Sequence, residues 1–304
     1  MSGVRLGVRS SHLLRRTATR RTRIKSRHTP CPRIEPMWTS HEIIAGGLKI
    51  HYLRTGGGGP PLVLAHGATD NGGCWVRLAT ALADTFDVIV PDARGHGLSD
   101  APEGDYSAST LGNDLASFIE ALHLDRPLVG GHSMGANTTL ALIANHPRLA
   151  RAAFLEDPVF RMEPAASTQE IVSRRARMRE EAHARASIGH EGIVAQGRAR
   201  NPLWDDVEFD NWATAKMQVR DAFFTAIPEA FDWQGLLGMV ECPTLLVIGD
   251  PSLGAIVNPD AAGEAEHLCP TLEIAHIPGA GHNIRRDRFA PFLSEVGAFL
   301  ARNA

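Results

Sequence analysis

Short, uninterrupted apolar runs recur along the chain and constrain its fold more than any other feature. Four of them are PLVLAH at 61–66, DVIVP at 87–91, AAFLE at 152–156 and PTLLVIG at 243–249. Strands that are buried on both faces have this composition, and such strands occur in parallel sheets covered by helices. The runs therefore predict an α/β protein built on a mostly parallel sheet.

The alternation of such runs with longer helical patterns predicts eight strands. They are expected at 41–45, 48–53, 61–66, 87–91, 127–131, 152–156, 243–249 and 271–277. The first two are joined at Gly46 and Gly47, which is typical of an antiparallel hairpin. Helices are expected near 74–84, 108–122, 134–145 and 288–301.

The alternation stops over 158–238, where the sequence becomes helical, rich in arginine and interspersed with Trp and Phe. Ser167 and Glu170 have the spacing of a capping box that begins a helix. We interpret this segment as an inserted helical cap. The arginines at 174, 175, 177 and 179 favour a solvated face, with pairing of one arginine to a substrate carboxylate as the alternative.

The segment PLVGGHSMGANTTLAL at 127–142 carries the clearest chemical signal. A buried strand leads through Gly131, His132, Ser133, Met134 and Gly135 directly into a helix, which is G-x-S-x-G in the context that a nucleophile requires. Glycines two positions either side leave room for a sharp, strained turn. The pattern predicts Ser133 as a nucleophile presented at the carboxyl edge of the sheet.

Four motifs together resemble the α/β-hydrolase family: HG at 66–67, DARGHGLSD at 92–100, GHSMGA at 131–136 and GAGHN at 279–283. The resemblance extends over 41–302. It implies a mostly parallel eight-stranded sheet with helices on both faces. A core of 37–157 and 239–304 would be interrupted, after the sixth strand, by the cap at 158–238.

A hydrolase of this kind needs two backbone N–H donors for the oxyanion. Met134, which follows the nucleophile, is one candidate, and the resemblance implies the amide of Ala68 as the other. Asp70 and Trp75 follow in the same loop and, with His132, are candidates to line the substrate pocket. Core packing is an equal interpretation for Trp75, and the resemblance makes His132 a structural neighbour.

His282 is the predicted general base because it follows the last strand in a glycine-containing loop, GAGHN. Carboxylates at two strand ends are candidates for the acid that orients this histidine. Asp250 ends the seventh strand and is preferred, although many relatives carry the acid two positions further on, where this chain has Ser252. Asp157, at the end of the sixth strand, is the alternative acid, followed by Glu156.

Composition limits the partners and the environment. The formal net charge of −3 gives no general attraction to nucleic acid or to acidic membranes, and no apolar run has the length of a membrane span. Four scattered cysteines without a CxxC pair favour neither zinc nor disulfides, and they fit a cytoplasmic protein. The expected partner is a small molecule, and the protein is expected to be a monomer or a homodimer.

The first 36 residues have a different composition, with nine arginines and one lysine before the first acidic residue, Glu35. We expect residues 1–36 to be a disordered or misassigned extension, with Met37 as a possible natural start and a transit peptide as the alternative.

The resulting hypothesis is a serine hydrolase that cleaves a small carboxylic ester, a lactone or an aromatic monoester through an acyl-enzyme, with no cofactor and no metal. A cofactor-free haloperoxidase, an amidase and a C–C bond hydrolase use the same machinery. A slowly hydrolysing small-molecule receptor is the alternative of another class.

Overall fold

The computed structural model describes residues 38–162, 167–226 and 231–304. The expectation for residues 1–36, and for Met37 as a start, lies outside these ranges. Within them, contacts join the chain from Trp38 onward into one compact unit.

Eight strands of the described ranges form one sheet in the order β1-β2-β4-β3-β5-β6-β7-β8. The strands are β1 Thr39–Ala45, β2 Leu48–Arg54, β3 Pro61–Ala65, β4 Asp87–Pro91, β5 Leu128–His132, β6 Ala152–Glu156, β7 Thr244–Ile248 and β8 Leu272–His276. The β1–β2 and β2–β4 pairs are antiparallel, and all other neighbours are parallel. The predicted fold class is confirmed.

The predicted hairpin is confirmed at Gly46 and Gly47, whose φ angles of 57° and 82° lie in the left-handed region. Two successive residues with positive φ turn the chain with the twist that antiparallel strands need, and glycine adopts this conformation without strain. β1 then pairs with β2 along its whole length, from Thr39 opposite Arg54 to Ala45 opposite Leu48.

Helices cover both faces of the sheet. They are α1 Val76–Leu82, α2 Ala108–Ala121, α3 Met134–Asn145, α4 Thr168–Ser187, α5 Gly189–Arg200, α6 Asp206–Gln218, α7 Asp221–Thr225, α8 Trp233–Leu237, α9 Pro259–Leu268, α10 Ile284–Asp287 and α11 Phe289–Arg302. Two apolar clusters, one on each face, pack α1–α3 and α8–α11 against the sheet, and α4–α7 belong to neither of them. In the part of the chain that the structure describes, no helix is both long and apolar enough to cross a membrane.

Helix α9 was not predicted from the strand and helix patterns. Its signal is local: the Asn258 side chain accepts a hydrogen bond from the amide of Ala261, and Pro259 occupies the first helical turn. Both are preferred at helix N-termini, because the side chain satisfies a free amide and proline lacks one.

Helices α4–α7, which we call the cap helices, lie between β6 and β7 in the segment predicted as a cap. Ser167 and Glu170 form the expected capping box at the start of α4. The next helix, α8, packs into the apolar cluster on one face of the sheet, where Trp233 and Leu237 are buried and Trp233 stacks on Phe160 with ring centroids 4.6 Å apart. Of the cap helices, α6 packs against Gly72–Trp75 in the loop after β3, and α7 shares an apolar cluster with Ala68 and Met134, which follow β3 and β5.

Candidate active site

Ser133 occupies a strained turn between β5 and α3. Its φ of 54° and ψ of −114° are unusual for a residue with a side chain, and such conformations cost about 1–3 kcal/mol. The turn is held by two backbone hydrogen bonds, from the Ser133 amide to the Glu156 carbonyl at 3.0 Å and from the Asn137 amide to the Ser133 carbonyl at 3.0 Å. Strain that the surroundings enforce in this way is typical of a functional residue.

The glycines around Ser133 are required by close backbone contacts. A Cβ atom at Gly131 would lie 2.1 Å from the carbonyl oxygen of Gly135. A Cβ atom at Gly135 would lie 2.1 Å from the carbonyl oxygen of Ala65. Both distances are far below van der Waals contact, so the sharp turn cannot form with larger residues at these two positions.

His282 lies next to this turn and is held from two sides. Its Nδ1 is 2.6 Å from Oδ2 of Asp157, whose side chain is completely buried. The carbonyl oxygen of His282 accepts a hydrogen bond of 2.9 Å from Nε2 of His132, the residue before Ser133. The two imidazole rings lie 4.7 Å apart. The structure therefore places the imidazole of His282 beside the residue that precedes Ser133.

Asp157 is fixed by the chain on its other side. Its carboxylate accepts hydrogen bonds from the amides of Ile256 and Val257 at 2.9–3.1 Å. It follows β6, which is the strand adjacent to the one that carries Ser133. A buried carboxylate held by three donors can orient an imidazole and stabilise its protonated form.

The expected contact of Asp250 with His282 is wrong. The Asp250 carboxylate instead accepts hydrogen bonds from Nε2 of His276 and from the amide of Gly279, both at 2.7 Å. It thereby closes the turn after β8, whereas Nδ1 of His282 contacts Asp157. These two hydrogen bonds also lower the pKa of Asp250. Glu156 is directed elsewhere too, since it pairs with the buried guanidinium of Arg285 at 3.0 Å.

The two predicted oxyanion donors lie at neighbouring strand ends. Met134 is the first residue of α3, so its amide has no acceptor within the helix, and it lies at the positive end of the helix dipole. Ala68 follows β3, which pairs with β5 so that Ala65 is opposite Gly131. Ala68 and Met134 pack against one apolar cluster formed with Phe223 and Phe224 of α7. The apolar side chains of α7 thus pack against both residues that were predicted as donors.

All three predicted pocket residues are buried instead. Trp75 is fully buried in the core, 6.3 Å from the ring of Phe154 and 4.0 Å from the Arg285 guanidinium, so its role is packing. Asp70 is 3% exposed and forms ion pairs with Lys216 and Arg286. His132 is also buried, with its ring 4.7 Å from that of His282. The pocket predictions for Trp75, Asp70 and His132 are therefore wrong, because none of the three residues is more than 3% exposed.

Sequence reasoning missed the charged partners of Asp70. Lys216 belongs to α6, 146 residues from Asp70, and Arg286 is 216 residues away. The Arg285-Arg286 pair, one residue after the GAGHN motif, was the available signal, since arginines that become buried require acidic partners. Among the described residues, no group of three or more His, Cys, Asp or Glu side chains is arranged to hold a metal ion.

Residues 60–285 match the family model for the alpha/beta hydrolase fold. The chain belongs to the α/β-hydrolase fold family. Curated relatives of this α/β hydrolase include N-formylmaleamate deformylase of Pseudomonas putida, 31% identical over 85% of this chain and 95% of the relative. The 2-(acetamidomethylene)succinate hydrolase of Mesorhizobium japonicum is 28% identical over 76% of this chain and 84% of its own length.

Solved structures support the same fold. A thermophilic esterase from Thermogutta terrifontis superimposes on this α/β hydrolase with a TM-score of 0.66 at 23% identity, over 87% of this chain and 98% of the esterase. The family and its relatives identify the chain as a hydrolase.

Proposed function

We propose that this hydrolase cleaves a carboxylic acyl bond in a small molecule through a covalent intermediate on Ser133. The observation that carries the proposal is the 2.6 Å contact between His282 and buried Asp157, next to a strained serine turn. Of the carboxylates at the two strand ends, only Asp157 supports the role of the acid, so it replaces Asp250 in the mechanism.

The reaction proceeds in two halves. Nε2 of His282 takes the Ser133 hydroxyl proton as the oxygen attacks the carbonyl carbon, and Asp157 stabilises the imidazolium. The amides of Met134 and Ala68 donate to the oxyanion. The leaving group departs with the proton from His282. Water, deprotonated by the same imidazole, then releases the acid and restores Ser133.

An amide is the second candidate for the cleaved bond, beside the ester or lactone predicted from the sequence. The curated relatives named above are a deformylase of an N-formyl compound and a hydrolase of an acetamido compound. The same acyl-enzyme chemistry serves both bond types, and protonation of the leaving nitrogen by His282 is the step that an amide requires.

Arg175 supports a substrate that carries a carboxylate. Its guanidinium lies 4.4 Å above the Phe223 ring and donates to the Phe223 carbonyl at 2.8 Å. Burial, with a smaller contribution from Arg174, lowers the pKa of Arg175 to about 10. In the described ranges no ion pair is formed by this arginine. It lines a cleft of about 410 Å³ together with Phe224, which belongs to the apolar cluster around Met134.

The test is a panel of p-nitrophenyl esters and p-nitroanilides, each in a neutral acetyl form and an anionic succinyl form. We expect turnover of at least one member by the wild type and none by Ser133→Ala. Absence of turnover above the Ser133→Ala background throughout the panel would contradict the proposal.

A matched pair of variants tests whether Arg175 binds a carboxylate of the substrate. Arg175→Met should lower kcat/KM for succinyl substrates by about 10- to 100-fold, the value of one charge-assisted hydrogen bond, and leave acetyl substrates unchanged. Arg174→Met is the control, because Arg174 is the exposed neighbour on the same helix. Equal losses on acetyl and succinyl substrates would exclude Arg175 as the carboxylate site.

A further inference from the structure

A buried group of charged side chains joins the cap helices to the loops of the candidate active site. Among the described residues it contains three acids and three bases, none more than 8% exposed: Asp70, Glu156, Glu208, Lys216, Arg285 and Arg286. We call this set the ionic cluster. Its members come from the loop after Ala68, from α6, from α10 after His282, and from the strand end next to Asp157. Charges buried this deeply are tolerated only when they are well paired.

Lys216 of α6 uses its ammonium group entirely on two consecutive residues. Nζ donates to the Thr69 carbonyl at 2.9 Å, to Oγ1 of Thr69 at 2.8 Å and to Oδ1 of Asp70 at 2.7 Å. An ammonium has three donors, and all three have acceptors here. The other Asp70 oxygen accepts from Nη2 of Arg286 at 3.1 Å. Burial alone would raise the pKa of the Asp70 carboxyl, but Arg286, Lys216 and Arg285 hold it well below its ordinary value.

The two residues that Lys216 holds directly follow the proposed oxyanion donor. Thr69 has a φ of 61°, which is unfavourable for a β-branched residue and needs external support. The Asp70 amide donates to the Gly67 carbonyl at 3.1 Å, and the same carbonyl contacts Nδ1 of His66 at 2.9 Å. Residues 67–70 therefore form a tight turn whose far end is fastened to a cap helix.

The direction of the Ala68 amide follows from this turn. The Gly67 carbonyl and the Ala68 N–H belong to one planar trans peptide unit, so they point in opposite directions. Donors from His66 and Asp70 fix the carbonyl on one side, and the Ala68 N–H must then point to the other. A shift of Asp70 would release one of these donors and allow the peptide unit to rotate.

We propose that Lys216 is a positioning residue, through which α6 of the cap fixes the peptide unit that directs the Ala68 N–H toward the oxyanion. This inference rests on the proposed function, because it assigns Ala68 a role in the acyl-transfer site. Docking of α6 is then part of the catalytic arrangement, and a cap that is displaced leaves only the Met134 donor in place.

Lys216→Met removes the ammonium and keeps much of the side-chain volume. We expect kcat on a p-nitrophenyl ester to fall about 10- to 100-fold, somewhat less than the loss of a whole oxyanion donor, with KM nearly unchanged. An alkylboronic acid, which forms a tetrahedral adduct on serine, should bind more weakly by the same factor. Arg198→Met is the control, since Arg198 is an exposed cation of the cap helices that pairs with Asp206 at 2.9 Å.

Thr69 provides a second test in case Lys216→Met fails to fold. Thr69→Ala removes one acceptor of Lys216, whereas Thr69→Ser retains the hydroxyl. We expect Thr69→Ala to lose kcat and boronate affinity in parallel, and Thr69→Ser to restore most of both.

Three outcomes distinguish support for the inference, failure of the inference and failure of the proposed function. Parallel losses of kcat and boronate affinity support the inference. A lower melting temperature with both values unchanged would overturn it and leave Lys216 a purely structural residue. A wild type that neither hydrolyses any ester nor binds the boronic acid would overturn the proposed function itself.

Discussion

The change of Asp157 to asparagine isolates the carboxylate that orients His282. Oδ1 of Asp157 accepts from the Ile256 and Val257 amides at 3.1 and 3.0 Å, and Oδ2 accepts from Nδ1 of His282 at 2.6 Å and from the Ile256 amide at 2.9 Å. Asparagine has nearly the same size, and its side-chain carbonyl oxygen can accept the hydrogen bonds that the backbone amides donate to Oδ1. Its NH₂ group then faces Nδ1, so the imidazole must accept there and carry its proton on Nε2. In that tautomer Nε2 cannot take the proton of Ser133.

The expected loss is large and specific to the chemical step. The wrong tautomer in a serine triad lowers kcat by about 10⁴-fold, which corresponds to about 5.4 kcal/mol of transition-state stabilisation. The protein should remain folded, because the Ile256 and Val257 amides still have the Oδ1 acceptor, although the bond of the Ile256 amide to Oδ2 is lost. Asp250→Asn is the matched control. It alters a partly exposed contact with His276, and kcat should stay within about threefold of the wild type.

The assay is kcat for a saturating p-nitrophenyl ester, with thermal unfolding followed by circular dichroism on the same samples. An inactive Asp250→Asn beside an Asp157→Asn that retains more than a tenth of the wild-type kcat would refute the reasoning.

Three further predictions concern stability and reactivity. Gly135→Ala should lower the free energy of unfolding by more than about 3 kcal/mol in urea titrations, because the new Cβ meets the Ala65 carbonyl at 2.1 Å. The control Gly263→Ala, in open space on α9, should be neutral or stabilising by up to about 1 kcal/mol. Equal effects of the two substitutions would contradict the steric argument. The depressed pKa of Asp70 predicts a stabilisation that is complete above the ordinary value of 3.8 and is lost as the pH falls through the folded-state value. Urea midpoints of wild type and Asp70→Asn should therefore differ by a constant amount from pH 5 to pH 7 and converge below about pH 4, whereas a gap that widens in acid would contradict the sign. Cys74 should resist iodoacetamide in the folded protein, since burial, followed by the nearby Asp70, raises its thiol pKa to about 12; rapid alkylation with loss of activity would contradict its placement in the core.

The strand pattern was predictable because it depends on local composition. The eight predicted runs agree with the observed strands to within about two residues at each end. Both-sided burial makes the central runs, such as those at 61–65 and 152–156, continuously apolar. The Ser133 turn was predictable for a similar reason. Its glycines are imposed by contacts within a few residues and with one neighbouring strand, and they occur at fixed spacing.

The choice of acid was not predictable from the sequence. Asp157 and Asp250 both follow buried strands, and only the three-dimensional course of the loops decides their partners. The Asp250 carboxylate accepts hydrogen bonds from His276 and Gly279, whereas the Asp157 carboxylate accepts them from the amides of Ile256 and Val257. The contact of Lys216 with Asp70 could not be predicted from the sequence either, because it joins residues 146 positions apart with no periodic pattern between them.

The central claim is that Ser133 is a nucleophile activated by His282. Fluorophosphonate labelling followed by peptide mass mapping tests it most directly, because the reagent reacts only with an activated hydroxyl group. The account predicts a single phosphonyl adduct on the peptide containing Ser133 in the wild type, no adduct in Ser133→Ala, and strongly slowed labelling in His282→Gln. An unlabelled wild type, or an adduct on another serine that persists in Ser133→Ala, would contradict it.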